Sequence, residues 1–135
     1  MAEYVVSPIG TIERKQGITE IVIDEVCTDG MLGLDGYSHI NVLYWLHEND
    51  TPEGRGVLQV HPRRDPKNPL TGVFATHSPV RPNPIALTRC KVLAIDGLRI
   101  RIEEIDARDG SPVIDIKCYI PHEDTGADIL VPDWV

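Results

Sequence analysis

Residues 85–105 read IALTRCKVLAIDGLRIRIEEI, two β-rich runs on either side of Asp96-Gly97. An Asp-Gly pair readily takes the positive-φ backbone of a two-residue hairpin turn, so the segment predicts a hairpin. Its return run, 98–105, alternates: Leu98, Ile100 and Ile102 share one side and Arg99 and Arg101 the other, the period of a strand with one buried face. Working outward, Tyr37–Leu46 is a long apolar run rich in aromatic and β-branched residues, which predicts a central strand. Ile40, Val42, Tyr44 and Leu46 fall on one face, and His39, Asn41, Leu43 and Trp45 on the other, a mixed face able to line a cavity. Asp109-Gly110 repeats the turn signal ahead of a strand over Val113–Ile120, with Asp115, Lys117 and Tyr119 on one face and Ile114, Ile116, Cys118 and Ile120 on the other.

Toward the N-terminus, Tyr4–Glu13 predicts a strand bent at Pro8 and Gly10, Arg14–Gly17 a polar turn, and Glu20–Val26 a half-buried strand with Ile21, Ile23 and Val26 inward. Residues 28–36 fit a connector with one helical turn, 49–56 a polar loop, 57–60 a short strand and 61–70 a basic, proline-broken loop. Short strands separated by turn signals, with little helical periodicity, predict an all-β barrel or sandwich.

The chain of 135 residues fits one domain with a core of its own. Hydrophobic residues at 41% and charged residues at 25% match a globular protein. With no run of about 20 apolar residues and no signal-like start, a cytoplasmic protein is expected. Three cysteines, Cys27, Cys90 and Cys118, are odd in number and lie far apart, so they read as small buried hydrophobes, with a reactive thiol as the alternative. The net charge of −8 is uneven: residues 55–101 hold nine basic and two acidic side chains, +7, which leaves −15 for the remainder. A basic face of that kind can meet phosphates while the acidic remainder discourages unspecific contacts; the same charges can equally scatter over several faces.

Six of the eleven prolines lie between Pro62 and Pro84. Within GVFATHSPVRPNPIALTRC, residues 72–90, the residues Ser78, Arg81 and Asn83 each precede a proline, which drives them toward extended angles and stiffens the loop. A stiff loop loses little entropy on binding, so it suits a recognition surface presenting a hydroxyl, a guanidinium and a carboxamide. It also suits a rigid corner in which Arg81 and Asn83 cap backbone carbonyls. His47 and Glu48, at the end of the long strand, sit where small-molecule sites form, or are a solvated strand end. The five histidines, His39, His47, His61, His77 and His122, show no zinc-site spacing, and there is no GxSxG, GxxxxGK[ST] or GxGxxG motif.

At GVFATHSPVRPNPIAL the sequence resembles the TsaA-like family, whose characterised members are TrmO-type tRNA methyltransferases. Further matches are PIG at 8–10, GLDGYSHI at 33–40, HPRRDP at 61–66 and IDARDGSPVIDIKCYIP at 105–121. The resemblance implies an all-β fold, a small closed or partly open β-barrel with short connecting helical turns, formed by residues 1–135 as a single domain without the additional C-terminal domain of bacterial members. It further implies a homodimer that binds S-adenosylmethionine near the subunit interface without a Rossmann fold and methylates N6 of N6-threonylcarbamoyladenosine beside the tRNA anticodon. A cofactor-binding or RNA-binding β-module without methyl transfer, or a methyltransferase with another acceptor, is the alternative.

Carried over motif by motif, the cofactor contacts are Gln16, Gly17, His47, Glu48, His77, Leu87, Glu103, Glu104, Ile105 and Asp106. The acceptor nitrogen must lose a proton, for which Asp115 is the expected base and His77 the second choice. Arg81 and Asn83 are expected to grip the modified nucleotide, Arg81 through the threonyl carboxylate. Arg63, Lys117 and Tyr119 are further expected substrate contacts. Two departures stand out: His77 replaces an arginine frequent in bacterial members, and Cys118 a proline common in the DIKPY motif.

Overall fold

The structure, a computed structural model, describes residues 1–121 and 128–135. His122 and the acidic start of the C-terminal tail, residues 122–127, lie outside the described residues. The main strands are β1 (Gly10–Lys15), β2 (Ile18–Ile23), β3 (His39–Trp45), β6 (Ile85–Asp96), β7 (Arg99–Ile102) and β8 (Pro112–Cys118). They close into a barrel of order β1-β2-β7-β6-β3-β8, antiparallel throughout. Closure leaves no unpaired edge in this sheet, which explains how so small a chain keeps a β-sheet from pairing with others. Short β4 (Gln59–Val60) and β5 (Thr71–Gly72) form a separate two-stranded ribbon.

The core is aliphatic: Ile12, Ile21, Ile40, Val42, Ile100, Ile105 and Val113 are fully buried. Each such side chain contributes roughly 1.5–3 kcal/mol relative to exposure. Gly10 is required where β1 meets β2, because a Cβ there would stand 2.3 Å from the Val22 carbonyl oxygen. Cys90 is buried, whereas Cys27 and Cys118 are half-buried, and all three are free thiols.

The alternation expected for β3 and β7 is present, and the barrel contains two register changes. Between Leu43 and Tyr44, β8 carries a bulge: Asp115 pairs with Leu43 and Val113 with Tyr44, which leaves Ile114 without a partner on β3. The extra residue inverts the pattern along β8, so Val113 is buried in the core while Ile114 is only half-buried and does not join the inward face of Ile116. A second bulge, at Leu93 in β6, turns that side chain outward.

Several boundaries differ from expectation. β1 begins at Gly10, since Tyr4 and Val5 are exposed and pair with nothing regular. β2 stops at Ile23, and residues 25–31 wind into a 3-10 helix that leaves Val26 outside. β7 stops at Ile102, so 103–108 run as irregular chain. The polar loop contains α1 (Pro52–Gly56), capped by Thr51, whose hydroxyl accepts from the Gly54 N–H at 3.0 Å, with Pro52 in the first turn. The mixed face of β3 lies on the outside of the barrel.

Candidate functional site

A cavity of about 590 Å³ forms where four irregular segments meet: the turn after β3, the loop after β4, the proline-rich loop and the stretch after β7. Asn49, His61, Arg63, Arg64, His77 and Asp106 are among its lining residues, and Trp134 from the C-terminal tail closes one side. Arg63 and Arg64 hold φ angles of 59° and 56°. Two consecutive non-glycine residues in the left-handed region cost free energy, and such strain concentrates at binding sites. The His61 Nδ1 pairs with the Asn68 carbonyl at 2.8 Å. A carbonyl only accepts, so that nitrogen carries a proton.

The proline-rich loop is held together from within. The Thr76 hydroxyl donates to the Val73 carbonyl at 3.0 Å and accepts from the Ser78 N–H at 3.1 Å. Arg81 Nη1 donates to the carbonyls of Thr76 and Ser78 at 3.1 and 3.2 Å. Asn83 Oδ1 accepts from Arg55 Nη2 at 3.2 Å, and Arg55 Nε donates to the Pro82 carbonyl at 2.9 Å. Arg81 and Asn83 therefore serve the loop's own geometry, which leaves the remaining guanidinium nitrogens of Arg81 and the Asn83 amide nitrogen to meet a ligand.

The expected site residues fall into two groups. His77, Arg63 and Asp106 line the cavity. His47 and Glu48 form the turn immediately before Asn49, and Glu48 Oε2 lies 3.3 Å from Arg108 Nε, bridging that turn to the stretch holding Glu103, Glu104, Ile105 and Asp106. Of these, Ile105 points into the core, so it can offer only its backbone. Gln16 and Gly17 make the β1–β2 turn, with φ of 53° and 78°, outside the cavity wall. Arg14, two residues before Gln16, ties that turn to the same stretch through the Ile105 and Ala107 carbonyls.

The second group stands on the outer face of the β6-β3-β8 part of the barrel. Leu87 and Asp115 pair with Leu43 from its two sides, and Arg89 and Lys117 likewise flank Asn41. Arg89 stacks on Tyr119, its Cζ 4.8 Å from the ring centroid. Leu87 is 64% exposed on this face. Asp115 Oδ1 accepts from the Ile116 N–H at 2.8 Å, leaving Oδ2 toward solvent.

Sequence reasoning missed Arg64, Trp134, Arg14, Tyr44 and Arg55. The Thr51-Pro52 cap that places Arg55 beside Asn83 was a usable local signal, whereas the strained Arg63-Arg64 pair and the return of Trp134 onto the cavity are tertiary and had none. Trp134, near the chain's end, packs on the chain's own cavity.

Residues 4–125 match the family model for the tRNA-methyltransferase O N-terminal domain. A probable S-adenosyl-L-methionine-binding protein of Methanocaldococcus jannaschii is 45% identical over 116 residues, 86% of this chain and 92% of that protein. The tRNA (adenine(37)-N6)-methyltransferase of Escherichia coli is 33% identical, over 83% of this chain and 48% of that enzyme. Among solved structures, TrmO from Pseudomonas aeruginosa superposes with a TM-score of 0.74 at 25% identity, covering 99% of this chain and 62% of that one. The chain thus spans nearly the length of its archaeal relative and less than two thirds of the bacterial proteins.

Proposed function

Because the chain belongs to the family of the tRNA-methyltransferase O N-terminal domain, which its residues 4–125 match, we propose that it is an S-adenosylmethionine-dependent methyltransferase acting on N6 of adenosine in tRNA. Its acceptor, in this reading, is N6-threonylcarbamoyladenosine beside the anticodon. The observation that carries the reading is the meeting of Asp106, His77 and the strained Arg63-Arg64 pair around one cavity of about 590 Å³, within the size range of small-molecule sites.

The donor set fits the cofactor. A carboxylate only accepts hydrogen bonds, so Asp106 suits the hydroxyls of a ribose or the ammonium of a methionyl group. Glu48, Glu103 and Glu104 add negative charge around a cationic ligand. When bound, S-adenosylmethionine supplies a methyl group activated on a sulfonium centre. His47, Glu48, His77 and Asp106 bind and orient it, while the stiff proline loop aligns the acceptor, the main contribution a protein makes to an in-line displacement. Formation of the N–CH3 bond would break the sulfonium S–CH3 bond and leave the thioether S-adenosylhomocysteine, and the acceptor N–H proton would pass to Asp115, whose Oδ2 is unengaged among the described residues. Arg81 holds the threonyl carboxylate with the guanidinium edge not spent on Thr76 and Ser78.

Leu87 and Asp115 stand on the outer sheet face, away from the cavity, which supports a site shared between two chains in this reading. We place a second copy across that face, its cavity brought to Leu87 and Asp115, with Ile85, Leu43 and Leu87 as the apolar part of the contact. Lys117, Tyr119 and Arg89 then border the seam where tRNA phosphates approach. Among the described residues no helix is long and apolar enough to cross a membrane, and with tRNA as substrate the protein acts in the cytoplasm.

The test is incubation with methyl-labelled cofactor and total tRNA from cells with and without the threonylcarbamoyl modification, followed by nucleoside analysis. Label in methylated threonylcarbamoyladenosine, absent with unmodified tRNA, is the expected result; label in another nucleoside overturns the acceptor. A second reading, cofactor binding without methyl transfer, draws on the M. jannaschii relative, which matches over most of its length and is named for binding alone. Cofactor binding with no label in any tRNA would favour it.

A further inference from the structure

The stretch that carries Asp106 has no sheet partner, yet the carbonyls of residues 105–107 are all held. After β7 the chain leaves the barrel wall, and three successive carbonyls are met by two side chains, Arg14 from β1 and Tyr44 from β3. The Arg14 guanidinium at the end of β1 donates to the Ile105 carbonyl and, through Nε at 2.6 Å, to the Ala107 carbonyl. The Tyr44 hydroxyl, from the inner face of β3, donates to the Asp106 carbonyl at 2.8 Å. The Arg14 N–H also donates to Asp109 Oδ1 at 2.8 Å, fastening the far end of the same stretch.

This arrangement fixes which way the side chains point. Ile105 and Ala107 are buried, 2% and 7% exposed, and Asp106 between them is turned out to the cavity wall. A shift of one residue would bury an unpaired carboxylate in an aliphatic core, at a cost of several kcal/mol. Ile105 anchors the register from the apolar side, while Arg14 and Tyr44 anchor it from the polar side. Tyr44 is itself 3% exposed, and its ring fills the core whether or not the hydroxyl is present. Arg14 belongs to the inward series that begins at Gly10 and Ile12, which brings its guanidinium over the end of the barrel, close to the chain it holds.

We propose that Arg14 and Tyr44 are positioning residues for cofactor binding: by gripping the carbonyls of residues 105–107 they hold the Asp106 carboxylate in the orientation that meets the cofactor. The proposal rests on the reading that Asp106 contacts S-adenosylmethionine. Neither side chain touches the ligand in this account. Each acts only through Asp106, and that restriction makes the idea testable.

The experiment is calorimetric binding of S-adenosylhomocysteine to the full chain and to Tyr44→Phe, Arg14→Lys, Asp106→Ala and the doubles that combine each of the first two with Asp106→Ala. Tyr44→Phe keeps the ring in the core and removes the hydroxyl's bonds to the Asp106 carbonyl and to Thr88 Oγ1; Arg14→Lys keeps the charge but cannot span two carbonyls. Each single variant is expected to weaken binding roughly tenfold, the size of one or two lost hydrogen bonds. In the Asp106→Ala background the same changes should weaken it less than about twofold, because a residue acting through Asp106 has nothing left to position. Singles that bind like the parent protein overturn the proposal, as do doubles in which the tenfold loss persists. If Asp106→Ala alone binds like the parent protein, the cofactor assignment of Asp106 fails first and the proposal falls with it. Should Tyr44→Phe not fold, the Arg14→Lys pair decides the question.

Discussion

Leu87 and Asp115 flank Leu43 from opposite sides in a single transverse row of the barrel's outer face, one presented by β6 and the other by β8. Leu87 is 64% exposed, and Asp115 Oδ2 is unengaged among the described residues. If a second copy covers this row, Leu87→Glu puts a desolvated charge into the contact and should shift the protein from twice the chain mass to one in light scattering. Binding of S-adenosylhomocysteine should fall at least tenfold together with it. A variant that keeps both its mass and its affinity removes the second copy from this face.

Arg55 gathers four groups. It donates to Asp50 Oδ1 at 3.2 Å, to the Pro82 carbonyl at 2.9 Å and to Asn83 Oδ1 at 3.2 Å, and its Cζ lies 6.0 Å from the Trp45 ring centroid. The guanidinium is partly exposed, so the ion pair alone adds little, and the links to the proline loop carry most of the effect. Arg55→Ala should lower stability by about 1–2 kcal/mol in urea unfolding. Arg55→Lys should recover less than half of that, because an ammonium group does not reproduce the fork. Equal stability of the lysine variant and the parent would show that charge, not the fork, is what matters.

Burial raises the Cys90 thiol from 9.0 to about 11. A raised pKa means the folded state keeps its proton where the unfolded state loses it. Stability from this source is therefore complete below pH 9 and declines as pH rises through the interval to about 11. Burial also raises the Tyr44 hydroxyl, the direction that favours its role as donor to the Asp106 carbonyl. In urea unfolding between pH 8 and 10.5, Cys90→Ala should show a shallower loss of stability than the parent, though it begins from a lower value because a cavity opens in the core. Identical slopes would mean that Cys90 does not titrate differentially.

Much of this architecture is legible in the residues, and the exceptions share a cause. The β6–β7 hairpin is legible from the Asp96-Gly97 signal, although its two-residue turn lies one place on, at Gly97-Leu98, because Asp96 pairs with Arg99; the inner face of β3 follows from Ile40, Val42 and Tyr44. The faces of β8 do not, because a bulge at Ile114 depends on how β3 pairs with it, and a period-two reading inverts at one extra residue. The site was legible as motifs and not as an assembly. His77 and Asp106 could be named from sequence, but the cavity that joins them needs the left-handed backbone of Arg63 and Arg64, which short-range preferences oppose. Arg81 and Asn83 were open to two uses, and the structure commits part of each to the loop itself.

Asp115 offers the most direct check on the chemistry. Its Oδ1 is held by the Ile116 N–H, which orients the carboxylate without neutralising Oδ2. Asp115→Asn preserves size and the Oδ1 contact but cannot take a proton. If Asp115 is the base, single-turnover methylation should fall by roughly 10²–10⁴ while S-adenosylhomocysteine affinity changes less than about threefold. Equal losses in rate and cofactor affinity would instead assign Asp115 to binding.

Arg81 divides its guanidinium between the loop and, in the proposed complex, the threonyl carboxylate. Nη1 is committed to the Thr76 and Ser78 carbonyls, so the planar group is already fixed when a ligand arrives, and a fixed fork loses little entropy on pairing with a carboxylate. Arg81→Lys can supply charge to one of these partners but not geometry to both. Methylation of threonylcarbamoyl-bearing tRNA should drop at least tenfold through KM, while S-adenosylhomocysteine binding, which draws on His77 and Asp106, holds within about threefold. A lysine variant that methylates at the parent rate rules out the carboxylate clamp. One that loses both activities shows instead that Arg81 serves by shaping the loop that carries His77.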